Sequence, residues 1–207
     1  MRGVPTSRPL ELAVPRLGPT DRLVALPRVP LRDARDGGAP VLRSSFRIGL
    51  RGSVLCVRFD GRDDGVVATC TKRDEPLWRE DVFEVFLAPR DPPTVYYEFE
   101  VNPLGTLFDA RVESPDLDRA TMRVDAAWDC PGLEARVSKS SRRWSALLRI
   151  PLEPLVESES GVPARWRANF FRIDRGVPDE YSAWSPTLAD PPDFHVPARF
   201  GILSLPV

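Results

Sequence analysis

Between residues 81 and 112 the chain alternates apolar and polar side chains with a period of two, in three short segments joined by links of a few residues. Residues 95–102 are the clearest. Val95, Tyr97, Phe99 and Val101 fall on one side; Tyr96, Glu98, Glu100 and Asn102 fall on the other. Successive side chains of a strand point to opposite faces, so this period predicts half-buried β-structure. Residues 81–88 set Phe83, Val85 and Leu87 against Val82, Glu84 and Phe86. Residues 107–112 set Phe108, Ala110 and Val112 against Leu107, Asp109 and Arg111. Short links favour antiparallel neighbours. With the apolar set of each strand turned to the core, Glu84, Glu98, Glu100, Asn102, Asp109 and Arg111 are expected on one polar face.

Proline narrows the fold further. The chain has 23 prolines in 207 residues, about double the usual share, and they recur too often for long helices. Further strands are expected at 23–29, 46–50, 53–59, 66–71, 133–137, 144–150, 165–173 and 199–205. One helical turn is expected at 151–156, and a long irregular stretch at 174–197. Many short strands at this spacing imply an all-β sandwich or barrel. Residues 1–22 read as a flexible Pro/Arg-rich arm, and residues 23–207 as the domain.

Composition bounds the partners. Charges nearly cancel at −1, and arginine outnumbers lysine 27 to 2 without clustering along the sequence. Neither a nucleic-acid nor a membrane partner is expected. Cys56, Cys70 and Cys130 have no metal-ligand spacing. Cys56 reads as a buried hydrophobe, and a disulfide between two of the three stays open. No segment has signal-peptide character or reaches about 18 apolar residues. The expectation is a soluble, cytoplasmic protein, with secretion as the alternative if the N-terminus is mis-called.

Trp78 closes a polar loop six residues before Glu84. A pyranose has apolar C–H faces and a polar edge. Indoles cover the faces, while carboxylates, amides and guanidinium groups bond the hydroxyls. Trp78 and Trp184, in loops beside Pro76 and Pro186, are assigned to a binding site; Trp128, Trp144 and Trp166 to the core. Two rival readings stand beside this one. A glycoside hydrolase would pair Glu84 with Glu98, or Glu98 with Glu100, across a scissile bond. An interaction module would use the polar face only as a surface. His195, the single histidine, reads as structural, and Asp63-Asp64-Gly65 lacks the ligand spacing of an EF-hand.

Several stretches together resemble the carbohydrate-binding module family 9-like domains. They are Trp78 to Glu84, Tyr97 to Arg111, Trp166 to Asp174, Tyr181 to Pro186 and Phe194 to Gly201, spanning most of the chain from about Val41 to Leu205. The resemblance implies a two-sheet antiparallel β-sandwich of jelly-roll type that binds carbohydrate without catalysis, in the service of carbohydrate catabolism. The partner it implies is a mono- or oligosaccharide end held between two tryptophans, which Trp78 and Trp184 match. Glu84 matches a sugar-contacting glutamate, and Glu98, Asn102, Asp109 and Arg111 fall in the region of the other polar contacts. Founding members are extracellular, attached to xylanases and often bound to calcium; calcium ligands are not recognisable in this sequence.

Overall fold

The computed structural model describes residues 8–156 and 161–206. Its strands are β1 (Glu11–Ala13), β2 (Val29–Pro30), β3 (Arg32–Asp33), β4 (Ser44–Arg51) and β5 (Val54–Arg62). After these come β6 (Val82–Ala88), β7 (Val95–Val101), β8 (Leu107–Glu113), β9 (Arg123–Asp125) and β10 (Glu134–Ser140). The last are β11 (Arg143–Pro151), β12 (Arg165–Asp174), β13 (Glu180–Ala183) and β14 (Gly201–Ser204). They make a two-sheet β-sandwich. One sheet runs β1-β14-β12-β6-β7-β8-β9, with β13 and β3 added beside β12; the other runs β10-β11-β5-β4-β2. All these pairings are antiparallel except β1 with β14. The expected helical turn is the short 3-10 turn Glu153–Leu155.

Aromatic residues from both sheets meet between them. Phe46 stacks on Phe170 at 4.0 Å and Phe59 on Phe83 at 4.6 Å. Trp144 and Trp166 are buried there as expected, and Trp128 packs on Tyr97 at its edge. Arg172 stitches the sheets together from within. Buried beside Phe83, it donates to Ser44 Oγ at 2.8 Å and to Asp63 at 3.2 Å, and it pairs with Asp174. Gly61 makes room for it: a Cβ at that position would lie 2.9 Å from the Phe83 ring and 3.2 Å from the guanidinium carbon.

A second apolar cluster covers the outer face of the larger sheet. Phe86, Tyr96, Phe108 and Phe171 meet Phe194 and Phe200 from the chain that follows β13. Every residue of β6 is therefore buried, whichever way it points. The polar side chains of this face are not a solvated surface but a lining beneath a loop.

Three expectations need correction. Residues 66–71 form no strand; that segment is held by side chains, as described below. Residues 23–29 hold a 3-10 turn at Leu23–Ala25 and only the start of β2. The arm is docked over residues 10–17. Val14 and Leu17 are buried, and backbone bonds tie Val14 to Ser204 and Leu17 to Leu50. Residues 1–7 of the arm lie outside the described residues.

Four of the arginines dispersed along the sequence meet at one cleft of the smaller sheet. Arg28, Arg43, Arg62, Lys139 and Arg143 line one cleft with Ser44, Ser45 and Ser138. The three cysteines are free thiols, and burial pushes the Cys130 thiol up to about 12. Among the described residues no helix is long and apolar enough to cross a membrane.

Candidate functional site

On the outer face of the larger sheet lies a pocket of about 480 Å³, lined by Trp78, Glu84, Glu98, Phe108 and Arg119 together with Ile173, Arg175, Tyr181 and residues 192–195. Trp78 is set by local chemistry. It sits in the 3-10 turn Leu77–Arg79, whose Leu77 is buried as a plug. The next two residues lock the turn to the preceding loop. Glu80 accepts from the backbone N–H groups of Thr69 and Cys70, and both oxygens of Asp81 accept backbone N–H bonds, from Val67 at 2.6 Å and Arg175 at 2.7 Å. Burial pushes the Glu80 carboxyl up, but bonds from Thr69 and Cys70 outweigh it and hold it below the usual range. The indole is left 42% exposed, edge-on to Phe108 at 5.2 Å.

The floor carries three carboxyl groups. Strand register sets Glu84 directly opposite Glu100, and Glu98 opposite Phe86. Directly opposed residues share a face, so all three glutamates rise from the same side of the sheet. A ligand oxygen from each lies within 4.8 Å of the others. Glu100 is wholly buried and receives no hydrogen bond from any N–H or hydroxyl, and Glu84 Oε1 is equally without a donor. Glu98 and Glu100 are close enough to share a proton. Burial, and then the charge of the neighbouring glutamates, raises Glu84 and Glu100 well above the usual carboxylate range. Burial pushes Glu98 to about 7. The protein disfavours negative charge at this floor and yet places three acids there.

The rim cations hydrogen-bond elsewhere and reach the floor only through their charge, Arg175 lowering Glu84 and Arg119 lowering Glu98 less than burial raises them. Arg175 donates to Asp179, to the Tyr181 hydroxyl at 2.6 Å and to the Trp78 carbonyl. Arg119 faces Asp193 at 3.5 Å. His195 Nδ1 is 2.7 Å from the Tyr96 hydroxyl, and its Nε2 is 3.9 Å from Glu98. Burial, and then the nearby Arg119, drops the imidazole to about 3, so it is neutral at ordinary pH.

Of the residues proposed from sequence, Trp78, Glu84 and Glu98 meet at this pocket and four do not. Trp184 is buried between the sheets against Phe46 and Phe170. Pairing parity explains it. Ala183 pairs with Phe171 of the outer face, so the next side chain turns inward. A Cβ at Gly201 would run into the Trp184 ring, so Trp184 cannot stack on a ligand in this arrangement. Asn102 is spent on its own loop. Its amide donates to the Cys70 carbonyl at 2.8 Å, and its oxygen accepts from Leu104 and Thr106.

Asp109 and Arg111 lie on the opposite sheet face, because Asp109 pairs with Phe99 and Arg111 with Tyr97. Asp109 accepts from the Cys130 N–H at 2.5 Å and pairs with Arg73; Arg111 donates to Glu113 at 2.5 Å. The position given to Trp184 is filled by Tyr181, Pro192, Phe194 and His195. Phe108 and Arg175 also went unassigned. The parity of β8 could have found Phe108, whereas no local pattern marks Arg175.

Among the described residues, the three acidic clusters do not fit calcium. Asp63, Asp81 and Asp174 converge, but Arg172 already pairs with two of them and backbone N–H groups occupy the third. Asp74, Asp109 and Asp129 converge on Arg73. The glutamate floor has open oxygens, but its surroundings are Phe108, Val124 and Ile173. That falls short of the six to eight oxygens calcium takes, about 2.3–2.6 Å away.

Known proteins share this architecture. A structure of a Bacteroides uniformis protein described as carbohydrate-binding matches at TM-score 0.77 and 20% identity, covering 95% of this chain and 99% of that one. A family 9 carbohydrate-binding module from Caldicellulosiruptor kristjanssonii, solved with cellotriose, matches at TM-score 0.65 and 12% identity, covering 95% and 93%. Its glucose complex matches at 0.62 and 13%, covering 95% and 96%. An "Extracellular protein" of Arthroderma benhamiae is 26% identical over 175 residues, 78% of each chain. The model of carbohydrate-binding family 9 matches residues 39–205. The chain belongs to carbohydrate-binding family 9.

Proposed function

We propose that the pocket under Trp78 binds a sugar unit, a monosaccharide or the end of an oligosaccharide, and that the chain serves carbohydrate catabolism by binding rather than by bond cleavage. The observation that carries this reading is the half-exposed Trp78 indole beside a floor of carboxyl groups with unpartnered oxygens. The indole covers an apolar C–H face of the ring. Glu84 and Glu98 accept from hydroxyls, and protonated members of the cluster donate to them. Phe108 and Phe194 add apolar surface to the site. The sugars bound by the Caldicellulosiruptor module, cellotriose and glucose, name the first ligands to try. Calorimetric titration of glucose, cellobiose and other mono- and disaccharides tests the reading. Saturable binding that disappears in Trp78→Ala supports it. Silence across the panel, or unchanged affinity in Trp78→Ala, refutes it.

A further inference from the structure

The glutamate floor lacks something that the protein does not supply. Three buried acids face one another, and two of them hold oxygens that no N–H or hydroxyl of the protein reaches. The guanidinium groups of the pocket belong to other partners: Arg175 to Asp179, Tyr181 and the Trp78 carbonyl, Arg119 to Asp193. His195 is engaged by Tyr96 and stays neutral. Burying an ionised acid without a counter-charge is unfavourable unless a proton or a cation arrives. A neutral sugar offers only hydroxyl donors, which leave the cluster as it stood. A ligand ammonium brings a positive charge and N–H donors to the same point.

We propose that the pocket selects a sugar bearing a free amine, a hexosamine or the end of a hexosamine chain, with the ammonium seated on Glu84 and Glu98 above Glu100. This rests on the sugar-binding reading and narrows it to a cationic class. The lining favours an ammonium over a bare metal ion. Phe108 and Trp78 line the pocket beside the acids, and aromatic surface attracts an organic cation and its ring. Glu100, wholly buried and with its carboxyl raised well above the usual range, is favoured in its protonated form and does not line the pocket, so it need not touch the ligand.

The test compares glucosamine, glucose and N-acetylglucosamine by calorimetry, below the pKa of the free amine and in buffers of different ionisation enthalpy. Glucosamine should bind about 10- to 100-fold more tightly than glucose, the range of a charge-assisted hydrogen bond in a buried site. It should also release protons as the ammonium replaces those held by the glutamates, which glucose should not do. N-Acetylglucosamine, whose amide is uncharged, should lose the preference. Glu84→Gln and Glu98→Gln should lower glucosamine affinity by a larger factor than glucose affinity, erasing the preference between the two. Equal affinities for glucosamine and glucose would overturn the amine assignment and leave the sugar site standing. Binding of neither would overturn both. Calcium that binds to the glutamates and excludes glucosamine would overturn the amine assignment in favour of a metal.

Discussion

Deprotonating the glutamate floor should cost the folded state, and Glu98 sets the scale. Its carboxyl titrates near 7 in the folded protein against an ordinary value of 4.5. Below the ordinary value both folded and unfolded chains hold the proton. Between the two values the unfolded chain releases a proton that the folded chain keeps, so stability falls as pH rises; above about 7 the loss is complete. At about 1.4 kcal/mol per pH unit, that gap sets a ceiling of about 3 kcal/mol. Glu84 and Glu100 titrate with Glu98, so the change belongs to the cluster as a unit.

His195 works the other way. Its imidazole is buried neutral at about 3, so its contribution is present above its ordinary 6.5 and is lost on acidification. A difference between two proteins cancels that term. Urea unfolding of the ligand-free wild type and of Glu98→Gln, at a series of pH values from about 5 to about 8, should show the variant gaining on the wild type by up to about 3 kcal/mol as pH rises. Parallel stability curves would refute a protonated glutamate floor.

Other perturbations separate the site from its frame. Trp78→Ala should abolish sugar binding while shifting stability by about 1 kcal/mol or less, because the indole is half exposed. Trp184→Ala should cost about 3–5 kcal/mol in denaturant unfolding and leave the sugar affinity of the folded protein intact, because it opens a cavity between the sheets. Gly61→Ala should cost about 1–3 kcal/mol by pressing on Phe83 and Arg172, seen as a lower thermal midpoint. Cys56 and Cys130 should resist a thiol reagent in the native state and react once urea unfolds the chain.

The architecture was legible because its signal is local. The period of two and the short links fix β6, β7 and β8 as antiparallel neighbours, and the structure keeps that order. Which face each strand turns inward is less local. In β8 the apolar set Phe108, Ala110 and Val112 looks like core, but a second apolar cluster outside the sheet needs it as much. One residue of parity then carries Asp109 and Arg111 to the other side. Trp184 failed for the same reason. A tryptophan beside proline in an irregular stretch resembles a loop platform, but it continues the pairing of β13, and its backbone N–H bonds Phe170. The arginine-lined cleft was invisible because its members are scattered along the chain and meet only through strand register. Glu84 and Glu98 were found by alternation. That they are buried acids rather than solvated ones depends on the covering chain after β13, which no short window of sequence records.

The strap formed by β1 has a consequence for synthesis. Its partner β14 follows 191 positions later, from Glu11 to Ile202, so the two meet only after the intervening residues have been made. At typical elongation rates the first strand waits roughly 10–40 s for its mate. Through that interval Val14, buried in the finished fold with its N–H on the Ser204 carbonyl, lacks that partner. Of the described strands, the one made latest therefore closes the one made earliest.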